Sequence, residues 1–218
     1  LVVLTSDNGC SPSADYPELL AKGHNPSHVF RGHKADIFEG GHRVPFLVRW
    51  PAHVAGGRKS DQLTCLVDVV ATCADVLGTQ LPAEAAEDSY SFLAALGVTS
   101  ERPKRESVVH HSINGSFALR EGNWKLILAR DSGGWSEPRP GTPAAAPLPA
   151  VQLYDLATDI GEKNNVASAH LEVVARLTKL LEQQVADGRS TPGPKQANAV
   201  EVQLRKKPVV RQPSKAKS

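Results

Sequence analysis

Leu1-Val2-Val3-Leu4-Thr5-Ser6-Asp7-Asn8-Gly9 is the stretch whose reading decides the fold. Four apolar residues in a row, followed at once by polar ones, have the shape of a strand buried on both faces. Such a strand belongs to an α/β layer, where ligands gather outside the carboxyl ends of the strands. Asp7 and Asn8 stand at that end. They offer only oxygen ligands, which suit Ca²⁺ or Mg²⁺ rather than Zn²⁺. Two ligands do not complete a site, and on spacing alone Asp-Asn-Gly also reads as a plain turn.

Downstream, residues 10–33 are rich in Pro, Gly, His and Ser and read as a loop with one helical turn over Glu18 to Lys22. Arg31-Gly32-His33-Lys34 follows, and then Phe38-Glu39-Gly40-Gly41-His42-Arg43-Val44-Pro45. Lysine is a compact point charge, suited to one phosphate or sulfate oxygen. A Gly-flanked loop lets its ligand approach closely; the plainer reading is a solvated basic loop. Phe38 to Arg43 reads as a turn, and Val44 to Trp50 as a second apolar strand, with Pro45 unable to donate to a ladder. Leu63 to Leu77 carries a helical stripe, and Gly78 suits the residue after its end. A short helix is expected near Ser91 to Leu96.

After Pro103 the pattern turns β-like. Ser107 to Ile113, Ser116 to Glu121, Trp124 to Ala129 and Val151 to Leu156 read as strands, with Gly122-Asn123 as a two-residue hairpin turn. Residues 131–150 are a Gly/Pro/Ala-rich loop. Ser168 to Ala186 is an amphipathic helix ended by Gly188. The expected division is 1–102, an α/β piece; 103–188, a small antiparallel sheet with a helix; and 189–218, a basic tail.

Composition bounds the function. The 218 residues are 40% hydrophobic and 22% charged, an ordinary globular balance that excludes collagen-like and coiled-coil readings. No apolar run approaches the ~20 residues of a membrane helix. The net charge of +2 hides an asymmetry. Residues 189–218 hold eight Lys/Arg and one acid, which leaves 17 basic and 22 acidic residues, or −5, in the rest. The tail has no aromatic residue to stack on a base, so it reads as a solvated, disordered tail rather than a nucleic-acid tether. Three cysteines make no disulfide framework. Cys65 and Cys73 fall in the expected helix, ~12 Å apart at its rise, and read as packed thiols. There is no methionine, not even an initiator. An apolar strand at residue 1 reads as the middle of a longer chain.

Together these segments resemble the sulfatase family. The resemblance rests on Leu4-Thr5-Ser6-Asp7-Asn8-Gly9, Gly32-His33-Lys34, Phe38-Glu39-Gly40-Gly41-His42-Arg43-Val44-Pro45-Phe46, and Val67 to Gly78. It resumes at Ala118-Leu119-Arg120-Glu121-Gly122-Asn123-Trp124-Lys125-Leu126-Ile127. It ends at Leu153-Tyr154-Asp155-Leu156-Ala157-Thr158-Asp159, with Glu162 and Asn165-Val166-Ala167. It covers roughly residues 1–188 and is most similar to the C-terminal part of a bacterial arylsulfatase-type enzyme.

The resemblance implies an α/β fold of alkaline-phosphatase-like type, truncated at its N-terminus, plus a small α+β subdomain. It implies that Asp7 and Asn8 help hold one divalent cation, usually Ca²⁺. It implies that Lys34 contacts the sulfate and acts in catalysis. The family nucleophile is a formylglycine made from a Cys or Ser in a C-x-P-S-R motif. Cys10-Ser11-Pro12-Ser13 looks like that motif, but Ala14 replaces its arginine and the position is wrong; the nucleophile is expected upstream of Leu1. The 218 residues alone are therefore expected to be inactive.

Adjacent strand residues face opposite ways, so only one of His110 and His111 can face a given pocket; His111 is taken as a substrate contact. His33 and His42 flank the lysine loop and are further candidates, while Trp124 and Trp135 read as core and loop packing. The implied activity of the parent is hydrolysis of sulfate monoesters, on aryl sulfates or sulfated carbohydrates, without nucleic-acid partners and in the periplasm or outside the cell. A phosphonate monoester hydrolase or phosphodiesterase on the same fold is the alternative. A non-catalytic metal-binding relic is a third reading.

Overall fold

A computed structural model describes residues 1–206. The tail beyond residue 206 lies outside the described residues. Six strands and four helices follow one another: β1 (Val2–Thr5), α1 (Tyr16–Ala21), α2 (Glu39–His42), β2 (Phe46–Arg49), α3 (Asp68–Val76), β3 (Ser107–His111), β4 (Phe117–Glu121), β5 (Trp124–Ile127), β6 (Gln152–Asp155) and α4 (Leu171–Asp187).

The strands form two sheets. β1 and β2 make an antiparallel pair, with Val2 opposite Arg49 and Thr5 opposite Phe46. This corrects the expectation of a strand buried on both faces: Val2 is 61% exposed and Leu4 65%. A continuous apolar run leads to burial only where other elements cover both faces, and no third strand joins this ladder among the described residues. Pro45 ends just before β2, so its missing N–H costs the ladder nothing.

The second sheet is an antiparallel meander in the order β3-β4-β5-β6. Glu121 pairs with Trp124 across Gly122-Asn123, the expected two-residue hairpin, and Gly122 has the positive φ (55°) that such a turn requires. Strand alternation divides its side chains into two sets. Leu119, Leu126 and Leu153 meet Leu177 and Leu181 of α4 on one face. Ala118, Ile127 and Tyr154 meet Ile37 and Phe38 on the other. Gly188 closes α4 at φ 63°, and its N–H bonds back to Val185 O.

Helix α3 is shorter than its stripe. Asp68 stops it at the N-terminal side, because its buried carboxylate accepts from Cys65 N (2.8 Å) and Tyr90 N (2.9 Å) and pairs with Arg105 (2.5 Å). Cys65 thus precedes the helix, and Cys73 is exposed rather than packed. The segment 91–96 forms turns, not a regular helix. Residues 38–43 are not a mere turn: Glu39–His42 is a helical turn with Glu39, Gly40 and Gly41 buried. The basic tail is partly packed. Tyr90 Oη donates to Ser190 O (2.6 Å), Lys195 pairs with Asp187 (2.7 Å), and Leu204 packs beside α4.

Candidate functional site

The site is assembled from backbone. Gly9 N donates to Gly41 O (2.9 Å), and Lys34 N donates to Cys10 O (3.0 Å). The Asp7-Asn8 segment is thereby stitched to both the lysine loop and α2. Glycine is required at these crossings. A Cβ on Gly9 would lie 1.8 Å from Gly40 O, and one on Gly40 2.2 Å from Gly32 O. No side chain fits at such distances. Gly9→Ala is expected to push the Asp-Asn segment off α2, at about 1–3 kcal/mol from overpacking. The check is a chemical melt of the variant. An unchanged midpoint would show that the chains are not this close.

The lysine loop is fixed from below. Asp36, 2% exposed, accepts from His33 N (2.9 Å), Trp135 N (2.8 Å) and Ser136 N (3.0 Å). Ala35 O accepts from Ile113 N (2.9 Å), which brings the β3–β4 turn against the same loop. Ala35 itself sits at φ 84°, a conformation non-glycine residues rarely adopt, and these contacts hold it there. Lys34, half-buried, has no carboxylate within ion-pair distance among the described residues. A cleft of about 620 Å³ is lined by Ser6, Asn8, Cys10, Gly40 and Arg43, and Lys34 is not in its wall.

Asp7 is exposed and Asn8 half-buried in the loop leaving β1. Asn8 Nδ2 donates to Gly9 O (2.9 Å), which leaves the amide oxygen as the atom free for a cation. Both residues therefore present oxygen donors, the chemistry that fits Ca²⁺. Cys10 turns directly into a short 3₁₀ turn over Pro12–Ala14, capped by Ser11.

His111 is not brought to Lys34. It lies opposite Phe117 on the α4 face and lines a cavity with Val185 and Gln184. Its neighbour His110 takes the other face, where its ring stacks on His42 at 3.8 Å between centroids. Trp124 packs by the α4 core, whereas the indole of Trp135 is 41% exposed although its loop backbone is clamped by Asp36.

Sequence reading missed the group that joins the two halves. Lys125, fully buried, pairs with Glu39 (3.0 Å) and Glu162 (2.8 Å). Glu39 also receives Arg43 (3.1 Å), Arg120 (3.3 Å) and His42 (3.3 Å). Burial would push the Glu39 carboxyl up, but Lys125 and His42 outweigh it and hold the group well below the usual carboxylate range. Burial, joined by the Lys125 charge, lowers His42 to about 4, so its ring is neutral at pH 7. Glu162 moves the other way, raised by burial.

Glu39, His42 and His110 bring ligand atoms within 4.8 Å of one another. The Lys125 ammonium stands 3.4 Å from His42 Nε2 as well as beside Glu39, so a cation already serves that cluster. One signal for it was present in the sequence. Lys125 shares its sheet face with Ile127 and Ala118, where a charge requires a buried partner.

Comparison with known proteins places the chain among sulfatases. The family model Sulfatase matches residues 1–79. The chain is 37% identical over 188 residues to the N-acetylgalactosamine-6-O-sulfatase of Bacteroides thetaiotaomicron, covering 84% of this chain and 35% of that protein. It is 32% identical over 213 residues to arylsulfatase A of Bos taurus, covering 90% of this chain and 40% of that protein. A solved Bacteroides thetaiotaomicron structure, described in connection with the metabolism of multiple glycosaminoglycans, superposes with TM-score 0.68 at 36% identity, over 84% of this chain and 38% of that one. The chain thus spans little more than a third of the length of the proteins it matches. Its fold is that of the alkaline-phosphatase-like enzymes.

Proposed function

Since this chain belongs to the sulfatase family, we propose that the whole protein hydrolyses sulfate monoesters carried on carbohydrate, with Lys34 at the sulfate and Asp7 and Asn8 as part of a calcium site. The observation that carries this reading is the backbone stitching of Asp7-Asn8-Gly9 to Gly32-His33-Lys34 through Gly9, Gly40 and Gly41. It sets a pair of oxygen donors and an unpaired ammonium on neighbouring loops. The carbohydrate preference rests on likeness to a protein named for 6-O-sulfated N-acetylgalactosamine.

Hydrolysis adds water across the S–O bond and releases an alcohol and sulfate. Calcium and a formylglycine lying outside these residues would supply charge neutralisation and the nucleophile. The tasks of this chain are electrostatic. Asp7 and Asn8 Oδ1 would bind the ion. Lys34 Nζ would donate to a sulfate oxygen and balance negative charge as it moves onto the departing oxygen. Cys10 is given no part in attack, because Ala14 stands where the motif of the nucleophile has arginine.

The direct test is hydrolysis of a sulfate monoester and of a phosphonate monoester by the whole protein, with calcium present and then chelated. Faster turnover of the phosphonate would replace this reading with the alternative. Asp7→Asn removes a ligand charge and is expected to weaken calcium binding at least about tenfold. Calorimetric calcium titration reads this without reference to rate, and an unaltered isotherm removes Asp7 from the ligand set.

A further inference from the structure

A second cleft, of about 700 Å³, shares no wall residue with the first, and the chemistry above does not use it. Arg31, Arg130 and Lys163 contribute to its wall, and Glu137 is the one carboxylate there. None of the three cations has a carboxylate within ion-pair distance among the described residues. Glu137 is already paired, with Arg139 (3.2 Å). The chain beyond residue 206 contains no Asp or Glu, so it brings no acidic side chain to neutralise them.

The charges are placed rather than free. The Arg31 guanidinium lies 3.8 Å over the Phe38 ring and donates to Glu162 O (2.8 Å) and Tyr154 Oη (3.2 Å). Arg130 donates to Ala146 O (2.6 Å). Planar guanidinium groups fixed in this way have donors left for an oxyanion. Lys163 is exposed and adds a mobile third charge. Leu148 and Tyr154 supply apolar and aromatic wall between the cations. Cationic groups separated by apolar surface match a sugar ring bearing an acidic substituent.

We infer that this cleft is a second anion subsite, which holds a sulfated sugar residue of the polymer away from the bond being cut. The choice of a sulfated carbohydrate as occupant rests on the function proposed above; the unneutralised charge does not. Two separate subsites favour a chain with several sulfates over a single sulfated monosaccharide.

The test is calorimetric titration of the whole protein with a tetrasaccharide containing 6-O-sulfated N-acetylgalactosamine and with its desulfated counterpart. The double substitution Arg130→Ala with Lys163→Ala is compared with the unsubstituted protein. Loss of two charge contacts is expected to weaken the sulfated ligand about tenfold, with the desulfated one unaffected. Turnover of a small aryl sulfate, which carries no second sulfate, is expected to stay the same.

Unchanged affinity for the sulfated tetrasaccharide overturns the inference. So does a single-stranded oligonucleotide of equal charge that binds as tightly and loses as much. If the unsubstituted protein cleaves no sulfate ester yet binds the tetrasaccharide through these residues, the proposed function fails and the subsite stands. Should Arg130→Ala lower the melting temperature, Lys163→Glu at the exposed position carries the same comparison.

Discussion

Lys34→Ala is expected to reduce kcat of the whole protein by about 10²–10³-fold, the usual cost of removing one charged donor at a developing oxyanion. The reasoning starts from what Lys34 lacks. Its backbone is held by Cys10 O, and the residue after it is locked at a positive φ. Its ammonium has no carboxylate partner among the described residues. A half-buried lysine without a partner adds little to folding, so the thermal melt of the variant should match the parent within a degree or two. Lys34→Arg should recover little, because a planar fork does not replace a compact point charge. Steady-state kinetics on a sulfate monoester decides the matter. Near-parental turnover, or loss of rate accompanied by loss of fold, removes Lys34 from the reaction.

Lys125→Met is expected to act on stability instead. Lys125 is buried between Glu39 and Glu162, both themselves buried. Removing the cation leaves the buried Glu162 without a counter-charge and facing Glu39, which keeps only Arg43, Arg120 and His42. Breaking a buried ion pair costs about 3–5 kcal/mol. At this chain length that lowers the melting temperature by roughly 10 °C. Adding Glu162→Gln to Lys125→Met removes one stranded charge and should restore part of the loss, which a plain packing defect would not. Denaturant melts of the single and double variants read both effects. Equal stability of parent and Lys125→Met would mean that the pair contributes nothing net.

Much of the fold was legible in the sequence because strand and helix periods are local. The β4–β5 hairpin followed from Gly122-Asn123 between alternating runs, and α4 from its stripe and Gly188. What failed depended on distant partners. The exposure of β1 could not be read from Leu1 to Leu4, since burial is a property of what lies across from a strand. The start of α3 moved because Asp68 is claimed by Tyr90 and Arg105, 22 and 37 residues away.

The same division runs through the site. Asp7, Asn8 and Lys34 were visible as residue types in Gly-marked loops, and the structure sets their loops side by side. The choice between His110 and His111 turned on which face of β3 meets α4, which alternation alone leaves open. Glu39 and Glu162 went unassigned because a buried carboxylate and an exposed one look alike until their cation is located.

The Glu39–Lys125 bond also orders events in time. Its partners are 86 residues apart, and the bond forms only once β5 exists. During synthesis the lysine loop leaves the ribosome well before the strand that anchors it. Until then α2 is four residues long, with two glycines and a glutamate that has only its neighbours His42 and Arg43 to pair with, and has little reason to hold its shape. The lysine loop thus matures late, as a product of the downstream sheet. A chain released before residue 125 carries every residue of the loop but lacks the cation that fixes Glu39 beneath it.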